Sequence, residues 1–222
     1  MRSLPPAVFC TQWRDNEIAV FATAGPSAVS LEDAVAILSP EENARAARFH
    51  FEEDRERWTR SRALLRLWLA LRLEVSPESL VFETGSHGKL SLRAHPRCHF
   101  NLSHSGSLVA LAAGPEPVGI DIEHCRDLPF ASLATHAFRP EEIAAIQSSV
   151  DPGGLFYQLW TAKEAVMKCT GQGMSLPPAD IDISMKDSVP SSASCSGGRR
   201  YALLSLTLPG GYSLAAAVFA GP

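Results

Sequence analysis

The pattern of apolar and polar positions divides the chain into short β-like runs and longer helical ones. "AVFCTQW" (7–13) and "EIAVFATA" (17–24) flank a polar "RDN" and predict a hairpin. "SLEDAVAIL" (30–38) opens on a Ser with an Asp three positions later, which predicts a short helix. "SPEENARAARF" follows, with Ser39 as N-cap, Pro40 at N1 and Glu42 at N3, the sequence form of a capping box. From Glu52 to Leu73 the positions Leu64, Leu65, Trp68, Leu69, Leu71 and Leu73 predict one long amphipathic helix, which "VSPES" breaks.

The middle of the chain reads as strands: "SLVFETG", "KLSLRA", "HFNLS", "LVALAAG" and "VGIDIE", punctuated by Gly, Pro, Ser and His. Helical spacing returns in "RPEEIAAIQ" and "GGLFYQLWTAKEAVMKCTG". "DIDIS", "YALLSLTL" and "YSLAAAVFA" predict closing strands, while the Ser-, Gly- and Pro-rich "KDSVPSSASCSGGRR" (186–200) predicts a flexible loop. The order of strands, long helix, strands occurs twice. It predicts an α+β fold of two similar halves, 1–105 and 106–222. The duplication rests on the pattern of elements, since no repeat stands out in the residues themselves.

Composition narrows the class. The 222 residues are 45% hydrophobic and 20% charged, as in an ordinary globular protein. A net charge of −4 and a pI near 6.0 argue against a dedicated nucleic-acid binder. No apolar run reaches the roughly 18–20 residues of a membrane span, and "MRSLPPAVFC" lacks the apolar core of a signal peptide. Cys10, Cys98, Cys125, Cys169 and Cys195 form no CxxC pair, which suits neither a zinc site nor a disulfide framework. A reducing cytoplasm is the expected location. Only four basic residues are Lys, namely Lys89, Lys163, Lys168 and Lys186, in a chain otherwise biased to Arg.

The candidate chemistry lies in three stretches. As a strand, "VGIDIE" (118–123) turns Ile120 and Ile122 to one face and Asp121 and Glu123 to the other. Two carboxylates at that spacing flank a place for a hard divalent cation, or form the wet face of an edge strand. In "LWTAKEAVMK" (159–168), helical spacing puts Trp160, Glu164 and Lys168 on one stripe. That is either a solvated Glu–Lys pair or half of a site. With Asp121 and Glu123, Glu164 completes an open three-carboxylate set of the kind Mg²⁺ favours, beside Lys163 and Lys168 to neutralise a pyrophosphate. "FNLSHSGS" (100–107) offers Ser103, His104 and Ser105 next to a Gly, a phosphate contact or simply a turn. "SHGKLSL" (86–92) places Lys89 in another turn, equally open. The segment 41–62 carries six Arg and six acidic residues, mostly a solvated surface, from which one or two Arg could face a phosphate.

"GIDIE" at 119–123, followed about 40 residues later by "WTAKEAVMK", resembles the signature of 4′-phosphopantetheinyl transferases. "FNLSHSG", the "SPEENARAARF" start and the length match the larger, surfactin-synthetase-activating type, over residues 39 to 176. The resemblance implies the fold of that family, two α+β halves in pseudo-twofold arrangement, the second carrying the metal-binding motifs. It implies transfer of the phosphopantetheine arm of coenzyme A to a serine of an apo carrier protein, acyl, peptidyl or polyketide, with release of adenosine 3′,5′-bisphosphate. Asp121, Glu123 and Glu164 then match the ligands of Mg²⁺, or Mn²⁺ in its place. Lys168 matches the pyrophosphate lysine, with Lys163 alongside. Glu164, or a water on the metal, becomes the base for the carrier serine, and Asp121, Glu164 and Lys168 the catalytic group.

By the same resemblance Ser103 and His104 match the residues that hold the 3′-phosphate, and Lys89 the lysine of a Gly-Lys-Pro turn beside the nucleotide. Arg57 and Arg62 are similar to helix arginines near the phosphates. The sequence departs from the pattern at Leu90, where relatives often have Pro. It departs again at Glu42, where relatives place a Lys, with Arg45 restoring a positive charge one turn on, and at "GQG" (171–173) in place of Gly-Lys-Gly. Each departure bears on coenzyme A binding. A monomer without membrane or nucleic-acid partners is expected. Two competing readings stay open: a coenzyme A-binding scaffold that does not transfer, and a metal-dependent phosphohydrolase.

Overall fold

A computed structural model describes residues 4–127, 137–195 and 197–221. The first half opens on the predicted hairpin, β1 (Phe9–Trp13) and β2 (Asn16–Ala22), followed by α1 (Leu31–Ile37), α2 (Pro40–Ala46) and α3 (Glu52–Leu73). The short β3 (Phe82–Thr84) and β4 (Leu90–Leu92) pair with each other alone, and β5 (His99–Ser105) and β6 (Leu108–Gly114) close a four-stranded sheet in the order β1-β2-β6-β5. The second half runs β7 (Val118–His124), α4 (Pro140–Ser148), α5 (Pro152–Thr170), β8 (Ile181–Lys186), β9 (Val189–Cys195), β10 (Arg200–Leu208) and β11 (Tyr212–Gly221). Its sheet has the order β7-β11-β10-β9-β8.

Two expectations change here. The division at 105/106 falls inside the β5–β6 hairpin. β6 pairs with β2 and β5, so the first sheet is complete only at Gly114. The stretch 186–200 is not simply a loop: β9 lies between β8 and β10. Its small residues misled the compositional reading, because Ala193 and Cys195 fall on one face at strand spacing and are buried. Pro190 is accommodated where the β8–β9 register shifts.

Helix starts follow the sequence closely. The Ser39 hydroxyl accepts from the Glu42 amide at 3.2 Å while the Ser39 amide donates to the Glu42 carboxylate at 3.0 Å, the reciprocal capping box. α5 starts on Asp151, whose side chain accepts from the Gly154 amide, and ends at Gly171 in the left-handed region.

α3 is not amphipathic in its second half, where every residue from Ser61 to Ala70 is buried. One side packs Leu64, Leu65, Trp68 and Leu69 on the first sheet. Another packs Ala63 and Leu67 against Ala34, Ile37 and Leu38. Arg62 and Arg66 are buried as well, because Glu42 receives both of their Nε–H groups, at 2.9 and 2.6 Å.

The two sheets share one apolar core. Ile18, Val20, Ala110 and Ala112 of the first meet Ile120, Ile122, Leu214 and Ala216 of the second. α3 covers the other face of the first sheet and α5 the other face of the second. Along one seam the edge strands β5 and β7 lie side by side, joined through side chains. The Ile120 amide donates to the Asn101 side-chain oxygen at 2.9 Å. Ser103 donates to Asp121 and Ser105 to Glu123, both at 2.7 Å, and Ser105 accepts from the His124 amide at 3.1 Å.

The duplication also reaches single residues that the sequence reading missed. β2, β6 and β5 pair in the same order as β7, β11 and β10. "PEE" opens both α2 and α4, and Trp-Thr-x-x-x-Ala occurs in α3 at 58–63 and in α5 at 160–165. Glu142 repeats the role of Glu42: its Oε2 accepts from the Arg139 amide at 2.9 Å and pairs with Lys163 at 2.8 Å. Arg66 donates to the carbonyls of Pro77 and Leu80, and Lys163 to those of Pro178 and Ile181.

Candidate active site

The chemistry-bearing residues converge on a cavity of about 450 Å³ at the seam between the halves, its lining including Arg45, Arg62, Ser103, His104, Asp121, Glu123, Glu164 and Lys168. β7 supplies the acidic pair because its period of two sends Ile120 and Ile122 into the shared core and Asp121 and Glu123 the other way. α5 supplies Glu164 and Lys168 one turn apart. Gly119 makes the close approach of that helix achievable: a Cβ there would lie 2.0 Å from the Ala165 carbonyl oxygen and 2.4 Å from the Cys169 nitrogen.

Asp121 is 2% exposed. Its Oδ1 receives Ser103 at 2.7 Å and the Lys168 ammonium at 2.5 Å, while Oδ2 is buried with no partner among the described residues. Lys168 also donates to the Ser103 hydroxyl at 3.0 Å. Ser103 therefore stands between the acid and the lysine, holding both. Glu123 has one oxygen occupied by Ser105, and Glu164 makes no hydrogen bond to any described residue. Burial raises both glutamates above the ordinary carboxylate value. The charge of Asp121 adds to the rise in each case, and each is drawn back in part by Lys168.

Among the described residues no three acidic, His or Cys side chains are grouped so as to hold a metal ion as they stand. The Lys168 ammonium supplies the local counter-charge to Asp121. The donor chemistry nonetheless fits a hard cation: hard carboxylate oxygens, and, among the described residues, an orphaned Oδ2 on Asp121 and a Glu164 carboxylate without hydrogen bonds.

The first half lines the cavity mainly with positive charge and aromatic surface. The guanidinium of Arg45 stacks 5.6 Å from the ring centre of Trp58, and that of Arg62 sits 5.8 Å from the same ring and 4.7 Å from Phe82. Burial lowers Arg62 from its ordinary value, and Glu42 offsets part of this. His104 stands exposed at the mouth. Crowding of its ring by the protein, and then the nearby Arg57 guanidinium, lower its pKa.

Three of the expected ligand contacts are placed elsewhere. Lys163 is fully buried on the far side of α5 from Glu164 and Lys168. Its ammonium meets Glu142, the carbonyls of Pro178 and Ile181, and the ring of Phe138 at 5.4 Å. At one residue from Glu164 it points about 100° away around the helix, so adjacency in sequence is no guide to a shared site. Lys89 donates to the carbonyls of Val118, Lys168 and Cys169 at 3.2, 2.7 and 2.9 Å. It therefore caps the end of α5 and ties the two halves together, lining a neighbouring hollow of about 300 Å³ instead. Arg57 is paired with Asp54 and does not line the cavity, although its charge reaches His104.

Glu42, the apparent departure, is the buried hub of Arg62 and Arg66. Sequence reading missed Trp58, Ser61 and the positioning role of Ser105, while Trp160 lines the cavity on the stripe it was expected to share with Glu164 and Lys168. The alternation of Asn101, Ser103 and Ser105 in β5 was the available signal for the last of these.

Residues 117–217 match the sequence profile described as the 4′-phosphopantetheinyl transferase superfamily, and residues 23–116 that of the 4′-phosphopantetheinyl transferase N-terminal region. The profiles meet where the sheets divide. A Bacillus subtilis 4′-phosphopantetheinyl transferase is 32% identical over 155 residues, 69% of each chain. A Nostoc enzyme of the same name is 40% identical over 152 residues, 65% of this chain and 64% of its own length. A Synechocystis relative is 39% identical over 147 residues, and the match spans 59% of its length.

Proposed function

We propose that this chain, which belongs to the 4′-phosphopantetheinyl transferase family, transfers the 4′-phosphopantetheine arm of coenzyme A to a serine of an apo carrier protein. The observation that carries the reading is one cavity at the seam that joins Arg45, Arg62 and His104 from the first half to Asp121, Glu123, Glu164 and Lys168 from the second. A polyanion such as coenzyme A requires the first group. A reaction at its pyrophosphate requires the second.

Arg45, Arg62 and His104 bind and orient the phosphates of the nucleotide. Lys168, held between Ser103 and Asp121 in the wall of the cavity, neutralises the departing phosphate. Glu164, without a hydrogen bond among the described residues and raised by burial, accepts the proton of the incoming serine hydroxyl on its carboxylate. The serine oxygen forms its bond to phosphorus as the bond to the bridging pyrophosphate oxygen breaks, and adenosine 3′,5′-bisphosphate leaves. Asp121, Glu123 and Glu164 would hold a divalent cation, Mg²⁺ or Mn²⁺, whose chemistry is to polarise the pyrophosphate. Ser103 and Ser105 keep two of those carboxylates in place from β5. The protein acts as a monomer in the cytoplasm on this reading, since two fused halves already supply both walls of the site.

The test is the intact mass of an apo carrier protein after incubation with this protein, coenzyme A and Mg²⁺, with a matched sample in EDTA. A gain of one phosphopantetheine arm that EDTA abolishes is the expected result. Coenzyme A binding without any gain, across acyl, peptidyl and polyketide carriers, would leave a scaffold in place of a transferase. Release of adenosine bisphosphate without any carrier would indicate a phosphohydrolase.

A further inference from the structure

Ser61 sits in the middle of α3, is 1% exposed, and lines the cavity beside Arg45, Trp58 and Arg62. Its hydroxyl has no hydrogen-bond partner among the described residues. Two helix hydroxyls elsewhere in this chain donate one turn back: Thr161 to the Tyr157 carbonyl and Ser148 to the Ala144 carbonyl, each at 2.9 Å. Ser61 makes no such bond. A buried hydroxyl left unpaired costs about 1–3 kcal/mol, and folded proteins normally satisfy such groups with water or a ligand.

The duplication shows that the fold does not need a polar group at this position. Counting from the shared Trp-Thr, Ser61 corresponds to Lys163, whose ammonium binds Glu142 and the carbonyls of Pro178 and Ile181. In the first half Arg66 already makes the equivalent bonds, to Glu42 and to the carbonyls of Pro77 and Leu80. Ser61 is thus released from the structural task, and it lines the cavity together with Arg45, Trp58 and Arg62.

We propose, on the reading that coenzyme A is the ligand, that the Ser61 hydroxyl donates a hydrogen bond to the 3′-phosphate, making Ser61 a specificity-determining residue. Arg45 and Arg62 supply charge, and His104 a ring N–H, around a phosphate monoester at this end. The hydroxyl supplies a directional contact that a ligand without the monoester leaves unmade.

The experiment is calorimetric titration of the full chain with coenzyme A and with 3′-dephospho-coenzyme A, without any carrier protein, for the wild type, Ser61→Ala and Ser61→Thr. Ser61→Ala should bind coenzyme A about tenfold more weakly, the effect of one hydrogen bond to a charged group. Its affinity for the dephospho compound should stay close to that of the wild type, and Ser61→Thr should restore the preference. Thermal unfolding of Ser61→Ala at or above the wild-type temperature would show the fold intact, since an orphan hydroxyl is removed. An unchanged ratio of the two affinities in Ser61→Ala would overturn the assignment. A wild type that binds neither compound would overturn the coenzyme A reading and this one with it.

Discussion

Replacing Gly119 by Ala tests how the site is assembled. The added Cβ would stand 2.0 Å from the Ala165 carbonyl oxygen and 2.4 Å from the Cys169 nitrogen, both backbone atoms of α5 that no side-chain rotation can move away. Ordinary contact begins at 3.4 Å, so α5 must retreat from β7 by about 1.4 Å. That displacement exceeds the slack in the 2.5 Å contact between Lys168 and Asp121 and the 3.0 Å contact between Lys168 and Ser103. Overpacking of this kind costs about 1–3 kcal/mol, and each kcal/mol lowers the melting temperature of a chain this size by roughly 2–4 °C. A displacement of about 1 Å at reacting groups costs on the order of a hundredfold in rate.

Initial rates of carrier modification, followed by intact mass, should therefore fall by about that factor. Coenzyme A affinity should fall less, because Arg45, Arg62 and His104 lie on the other half. Far-UV circular dichroism should show a folded protein with a lowered midpoint. A variant with wild-type rate and midpoint would refute the claim that the β7–α5 contact sets the positions of Glu164 and Lys168.

Two further substitutions separate structural from chemical roles. Lys163→Met should destabilise the protein by about 3–5 kcal/mol, as removal of one partner from a buried ion pair does. The folded fraction should bind coenzyme A with unchanged affinity, and a normal melting midpoint with lost binding would return Lys163 to the ligand site. Glu164→Gln should abolish transfer yet raise the midpoint of the metal-free protein at pH 7. The raised carboxylate binds its proton more tightly folded than unfolded, so its destabilising effect is full above the raised pKa and disappears as pH falls below the ordinary carboxylate value. The midpoints of variant and wild type should accordingly converge in acid, and a gap that widened there would contradict the sign.

Local patterns with short-range physical causes were legible in the sequence. The Ser39–Glu42 capping box, the long α3, the alternation in β7 and the one-turn spacing of Glu164 and Lys168 depend on neighbours a few residues away. What failed was set by distant partners. Lys163 looks like a site residue until Glu142 and the carbonyls at 178 and 181 are known to surround it. Lys89 sits in a turn that resembles a nucleotide contact, but carbonyls some 80 residues later take its ammonium. β9 was hidden because serine-rich composition carries no β signal once pairing with β8 and β10 provides the driving force. The burial of Arg62 and Arg66 was likewise unreadable without Glu42 beneath them.

The repeat of the strand–helix unit is not a repeat of its chemistry. Where β7 turns Asp121 and Glu123 towards the site, β2 has Ala19 and Phe21 packed beneath α3, and where α5 carries Glu164, α3 carries Arg62. On the proposed function, the second copy carries the reacting groups and the first holds the nucleotide. Selection can therefore act on the two separately. Changes in residues such as Arg45, Trp58 and Ser61 would alter which nucleotide is accepted while Asp121, Glu123, Glu164 and Lys168 stay untouched. On the same reading, a directed-evolution library confined to α2 and α3 should explore nucleotide preference with the chemistry held constant.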